Sequence, residues 1–63
     1  MTRDEMNDRL GTLYDWQVET DRNLYWTKTR PNPNPHLVEI YTLRLAVIDA
    51  EIADLCYRLN NEE

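Results

Sequence analysis

The chain has 63 residues, of which 41% are hydrophobic, and its formal net charge at pH 7 is -5. It contains one cysteine and one histidine, which excludes an internal disulfide and a four-ligand zinc site built from these residues. Compact chains of about 60 residues bury only about 60% of their unfolded surface, and without such crosslinks they usually gain stability by association. The composition therefore predicts one domain over residues 1–63 that self-associates.

Other classes of protein are disfavoured by the order of the residues. Acidic side chains near the N-terminus stand where a secretory signal has its apolar core. The longest uninterrupted apolar run, residues 45–48, is far shorter than the roughly 20 residues that cross a membrane. An acidic balance also disfavours general attraction to nucleic-acid backbones. We expect a cytoplasmic protein that binds neither membranes nor nucleic acids in general.

The first segment, about residues 2–27, is predicted to be a helix. Thr2 followed three residues later by Glu5 is typical of a capping box at a helix start. One stripe then repeats at alternating spacings of 4 and 3, as expected for a helix that packs along one face. The stripe consists of Met6, Leu10, Leu13, Gln17, Thr20, Leu24 and Thr27.

The next residues, 28–34, are predicted to form an extended connector. Arg30, Asn32 and Asn34 each precede a proline, and that position disfavours the α conformation. Closely spaced prolines also make a connector stiff. Asn34 before Pro35 is typical of the N-cap and first position of a new helix.

The second helix is predicted over about residues 35–60. Its apolar seam is unbroken and consists of Val38, Tyr41, Leu45, Ile48, Ile52, Leu55 and Leu59. Folding the chain at the connector pairs the two stripes layer by layer, for example Leu13 with Ile48. The sequence therefore predicts an all-α fold, an antiparallel two-helix hairpin.

A second apolar row on the C-terminal helix predicts self-association. It lies roughly opposite the seam and consists of Ile40, Leu43, Val47, Ala50 and Tyr57. A two-helix hairpin covers one stripe per helix, so a second apolar row needs another partner. These five residues are the predicted interface of a homo-oligomer, most simply a dimeric four-helix bundle, with a larger ring as the next option.

Charge is segregated along the chain. Residues 22–38 contain three cations and no acid, whereas the rest of the chain is strongly acidic. Arginine and lysine suit phosphate groups, aromatic rings offer faces on which a base can stack, and Asn32 and Asn34 add amide donors. The predicted ligand contacts are Arg22, Tyr25, Trp26, Lys28, Arg30 and His36. The same residues also suit a structural role, because cations near a helix C-terminus complement its dipole.

The expected function is non-enzymatic binding, with no cofactor and no bound metal. The favoured ligand is a phosphorylated small molecule or nucleotide, and in size and style the chain is similar to compact viral accessory proteins that sequester nucleotide signals. One alternative is an acidic adaptor or inhibitor that docks on a host protein. The least favoured is a metal-dependent nucleotide hydrolase that uses the acidic pairs Glu5 with Asp8 and Glu51 with Asp54. Cys56 is expected to be a buried, inert thiol.

Overall fold

The computed structural model describes residues 2–61. Helix α1 spans Arg3–Thr29 and helix α2 spans Pro35–Asn61, and the two pack against each other along their length. The molecule is a rod of 50 × 14 × 14 Å. The predicted all-α antiparallel hairpin is confirmed, and residues 2–61 contain no strand.

Helix α1 begins at the predicted capping box. The Glu5 backbone N–H donates to the Thr2 hydroxyl at 3.1 Å, and the Thr2 N–H donates to the Glu5 carboxylate at 3.0 Å. This second hydrogen bond favours the ionised carboxylate and lowers the pKa of Glu5. The first turn of the helix is therefore closed by its own side chains.

Helix α1 ends two residues later than the periodicity alone predicts. Arg30 is extended, with φ -70° and ψ 152°, as expected for a residue before proline. Nothing stops the helix before that point, and the Thr29 hydroxyl donates back to the carbonyl of Tyr25 at 3.0 Å. The connector is therefore shorter than predicted and covers residues 30–34.

Helix α2 begins at the predicted N-cap. The Asn34 side-chain oxygen accepts from the His36 N–H at 2.9 Å, and the Asn34 carbonyl accepts from the Val38 N–H at 3.1 Å. Pro35 at the first helical position has no N–H that needs a partner. Asn34 therefore accepts from two backbone N–H groups of the first turn, through its side chain and its carbonyl.

The core follows the two predicted stripes, but it is concentrated at the end of the rod that holds the chain termini. One contiguous cluster is formed there by Met6, Leu13, Ile48 and Leu55, with Leu10, Ile52 and Leu59 packed against it. We call this end the open half. Towards the connector, the stripe of α1 turns polar, with Thr20 buried and Gln17 half-buried.

Polar contacts between the helices flank the core. The Arg9 guanidinium pairs with the Glu51 carboxylate, with nitrogen–oxygen distances of 2.5 and 3.3 Å. The Gln17 amide donates to the Asp49 carboxylate at 2.6 Å. These contacts run in opposite order along the two helices, as the antiparallel arrangement requires.

More large hydrophobic side chains are exposed than buried among the described residues. Five are buried, and nine are exposed. In the predicted interface row, Ile40 is half-buried, and Leu43, Val47, Ala50 and Tyr57 are exposed. Across residues 2–61, neither helix has a stretch long and apolar enough to cross a membrane.

Candidate functional site

A small groove lies where the end of α1, the connector and the start of α2 meet. Its volume is about 210 Å³, and we call it the connector groove. It is lined by Asn23, Trp26, Thr27, Arg30, Asn32, Asn34, Leu37 and Tyr41. The lining contains one cation, two aromatic rings, three amides and no carboxylate, so a chain of net charge -5 presents an acid-free recess here.

Two of the six predicted ligand contacts line this groove, Trp26 and Arg30. Tyr25 packs its ring edge against the Trp26 ring, with centroids 5.9 Å apart and planes at 74°, but does not line the groove. Lys28 lies in the last turn of α1, where its charge complements the helix dipole. His36 lies in the first turn of α2, and Arg22 is exposed outside the groove.

Sequence reasoning missed half of the groove. Asn23, Thr27, Leu37 and Tyr41 were not among the predicted contacts, although they complete the lining. Thr27 and Tyr41 belong to the stripes that hold the helices together, and they also line the groove. Helical spacing offered one signal, because Asn23 lies three and four residues before Trp26 and Thr27 and shares their surface.

The connector groove has the parts for binding a planar anion. Arg30 provides the charged donors that suit a phosphate or carboxylate. Trp26 is 59% exposed, so its ring is accessible for stacking. The Asn34 side-chain oxygen already accepts from His36, which leaves the amide N–H groups of Asn34 as its donors.

A larger groove runs along one side of the hairpin. Its volume is about 500 Å³, and we call it the Trp16 groove. It is lined by Trp16, Glu19, Thr20, Asn23, Arg44, Val47 and Ile48. Asn23 also lines the connector groove, so the two grooves are neighbours that share this residue.

The Trp16 ring packs against the ion pair between the helices. The Arg9 guanidinium lies 5.0 Å from the ring centroid and at the same time binds Glu51. The hydrogen bond between them raises the pKa of Arg9 and lowers the pKa of Glu51, so both stay charged. Trp16 itself is 44% exposed.

The opposite side of the hairpin is acidic. A groove of about 300 Å³, the Asp21 groove, is lined by Gln17, Val18, Asp21, Leu45 and Asp49. Further along this side, the Tyr14 hydroxyl lies 3.9 Å from the Cys56 sulfur, and that hydrogen bond raises the pKa of Tyr14. Cys56 is half-buried, so the prediction of a buried thiol was wrong, because this residue lies beside the seam and not in it.

Three of the four carboxylates considered for a metal have other partners. Glu5 closes the capping box, Glu51 binds Arg9, and Asp54 pairs with Arg58 at 3.2 Å one turn away. In the part of the chain that the structure describes, no group of three or more His, Cys, Asp and Glu side chains is placed to hold a metal ion. These carboxylates therefore have structural roles.

No protein-family model, curated protein or solved structure matches this chain. The grooves and the charges around them are the observations from which a function is argued.

Proposed function

We propose that the protein is a small homo-oligomeric helical binding protein that holds a phosphorylated small molecule, such as a nucleotide, in the connector groove. The observation that carries this proposal is the lining of that groove. An arginine, an exposed tryptophan and three asparagines share one recess that has no carboxylate. Elsewhere the chain is acidic, so this recess is where an anion meets the least repulsion.

Each part of the groove suits one part of such a ligand. The planar fork of Arg30 matches two phosphate oxygens, and the Trp26 face suits a base. The Tyr25 and Trp26 rings pack edge to face, which places a second aromatic ring beside the groove. The asparagine amides add donors and acceptors that distinguish one base edge from another.

The size of the groove argues for self-association. Ligand pockets usually have volumes of about 300–1,000 Å³, whereas the connector groove has about 210 Å³. A single hairpin therefore covers only part of a nucleotide. A second copy placed beside it adds a second recess and more wall, which is how a small chain can enclose a ligand.

Calorimetry with a panel of linear and cyclic nucleotides tests this proposal. We expect at least one nucleotide to bind, and we expect Arg30→Ala and Trp26→Ala to weaken that binding about tenfold or more, because each removes a charged or stacked contact. Arg22→Ala is the matched control, since Arg22 belongs to the same acid-free segment but does not line the groove. No heat with any nucleotide, or equal losses at Arg22 and Arg30, would contradict the proposal.

A second candidate function is docking on another protein through the Asp21 groove. That groove combines two carboxylates with the apolar Val18 and Leu45, a surface that suits a basic, amphipathic segment. Binding of a synthetic basic helical peptide that disappears in Asp21→Asn and weakens with added salt would favour this function. Under this alternative, Arg30→Ala leaves binding unchanged.

A further inference from the structure

We infer that two hairpins associate about a two-fold axis through the side that carries the Trp16 groove, and that the occupant of this groove is a second copy of the chain. The inference makes the self-association in the proposed function specific: it names the surface and the symmetry. It does not depend on which ligand, if any, the connector groove holds.

The surface area of the single hairpin is the first observation. Its accessible surface is 4977 Å² for a mass of 7.6 kDa. A compact protein of that mass exposes about 4,300 Å², so the hairpin has an excess of roughly 700 Å². A stable interface of standard size removes about 800 Å² from each partner. The excess therefore corresponds to one interface with one further copy.

The shape of the hairpin points the same way. Its radius of gyration is 14.5 Å. A compact chain of this length has a radius of about 11 Å, and one of twice this length has about 14 Å. Two rods placed side by side keep the length and double the width, which brings the assembly close to the compact value. An end-to-end arrangement would move further from it.

The charged residues of the two grooves indicate which side of the hairpin pairs with itself. In a two-fold interface each patch meets its own copy, so the charges on that patch are doubled. The Asp21 groove is lined by the carboxylates of Asp21 and Asp49 and by no cation, so pairing it with itself would bring four carboxylates together. The Trp16 groove contains one acid and one base, Glu19 and Arg44, and each can face the opposite charge of the second copy.

Apolar side chains on the side of the Trp16 groove provide the contact area for this interface. Val47, at the edge of the groove, is 67% exposed, and Trp16 is 44% exposed. Leu43, one turn before Val47, is 59% exposed, and the half-buried Ile40 precedes it by another three residues. Arg9 already positions the Trp16 ring, so little side-chain freedom is lost when a partner packs on it. The proposed interface keeps three residues of the predicted row and adds Trp16.

The first test measures the mass of the protein in solution by sedimentation at micromolar concentration without nucleotide. The unchanged chain is expected to form a dimer. Val47→Glu is expected to weaken that dimer about tenfold or more, because it places two charges at the centre of the apolar patch. Val18→Glu is the matched control: Val18 is also exposed, at 58%, but lies on the other side and should leave the dimer intact.

A charge swap between Glu19 and Arg44 tests the same interface if Val47→Glu does not fold. Glu19→Arg and Arg44→Glu, made singly, place like charges across the axis and should each weaken the dimer. Made together, the two substitutions again place opposite charges across the axis and should restore the dimer. A compact single-chain species at micromolar concentration would overturn the inference. So would a dimer that Val18→Glu breaks and Val47→Glu does not, or a double variant as weak as the single ones.

These outcomes are separate from those of the nucleotide experiment. A dimer that binds no nucleotide removes the proposed ligand and leaves the interface. A single-chain species that binds nucleotide in an Arg30-dependent way removes the interface and leaves the ligand.

Discussion

The two ends of the hairpin are held together differently. In the open half, large apolar side chains from both helices form one cluster, and Leu13 is only 1% exposed. Towards the connector, three stripe residues of α1 are polar, Gln17, Thr20 and Thr27, and Leu24 is the large apolar side chain among them. The three grooves described above are lined by residues between Trp16 and Asp49, mostly in this part of the rod. The apolar cluster and the grooves are therefore largely separated along the rod, and Ile48 belongs to both.

The largest expected effect is the difference between leucines in the two halves. Leu13→Ala removes a fully buried side chain from the cluster and should cost about 2–5 kcal/mol, most of the stability of so small a domain. Leu24→Ala, its matched variant, removes the same atoms from an 8% exposed site outside the cluster and should cost less. Chemical denaturation followed by far-UV circular dichroism, at equal protein concentrations, measures both.

Equal costs at Leu13 and Leu24 would contradict this difference, because they would mean that both halves of the hairpin depend equally on apolar packing. Protein concentration is held fixed because any association through either half adds to the measured stability.

The helices, their seams and their caps could be predicted from the sequence. The seams and the caps are local signals, since helical spacing, Thr2 with Glu5, and Asn34 with Pro35 each act within a few residues. The predicted end of α1 was two residues too early, because Lys28 and Thr29 continue the helix after the stripe has ended at Thr27. The stop is set by Arg30, whose conformation Pro31 restricts.

The candidate site was harder to predict for a geometric reason. An acid-free segment of sequence covers every side of a helix, whereas a groove uses only the side that meets another element. Tyr25 and Trp26 are consecutive in the same segment, so their side chains leave the helix about 100° apart, and only Trp26 lines the connector groove. Two of the missing members, Leu37 and Tyr41, come from α2, and no local pattern in α1 indicates them.

A smaller effect is expected from Gly11→Ala, which changes α1 in the open half without touching the core. Gly11 lies inside α1 in the open half, and nothing is within 4 Å of the place where a Cβ would lie. Alanine has less backbone freedom to lose on folding, so the variant should gain about 0.5–1 kcal/mol. A rise in the denaturation midpoint with an unchanged slope is the expected measurement.

A loss of stability in Gly11→Ala would show that another backbone approaches this residue closely in an oligomer. That surface lies on the side of α1 away from α2, so such a result would also move the proposed interface off the Trp16 side.

The smallest expected effect is the pH dependence of the open half. The pKa of Glu51 is lowered by its hydrogen bond to Arg9, so between the folded and unfolded pKa values the unfolded chain binds more protons. The stabilisation is fully present above the unfolded pKa, near 4.3, and is lost as the pH falls through the lower, folded pKa. Glu51→Gln should therefore flatten part of the decline in melting temperature below about pH 5.

Glu5→Gln is the comparison for this last effect, because the pKa of Glu5 is also lowered but by a hydrogen bond within the first turn of α1. Each variant should remove its own part of the decline in melting temperature at acid pH. At neutral pH, each should lower the stability much less than Leu13→Ala does. The reason is that the Arg9 and Glu51 side chains are 37% and 38% exposed, and water screens their attraction. If Glu51→Gln at neutral pH destabilised the protein as much as Leu13→Ala, the ion pair and not the apolar cluster would hold the open half together.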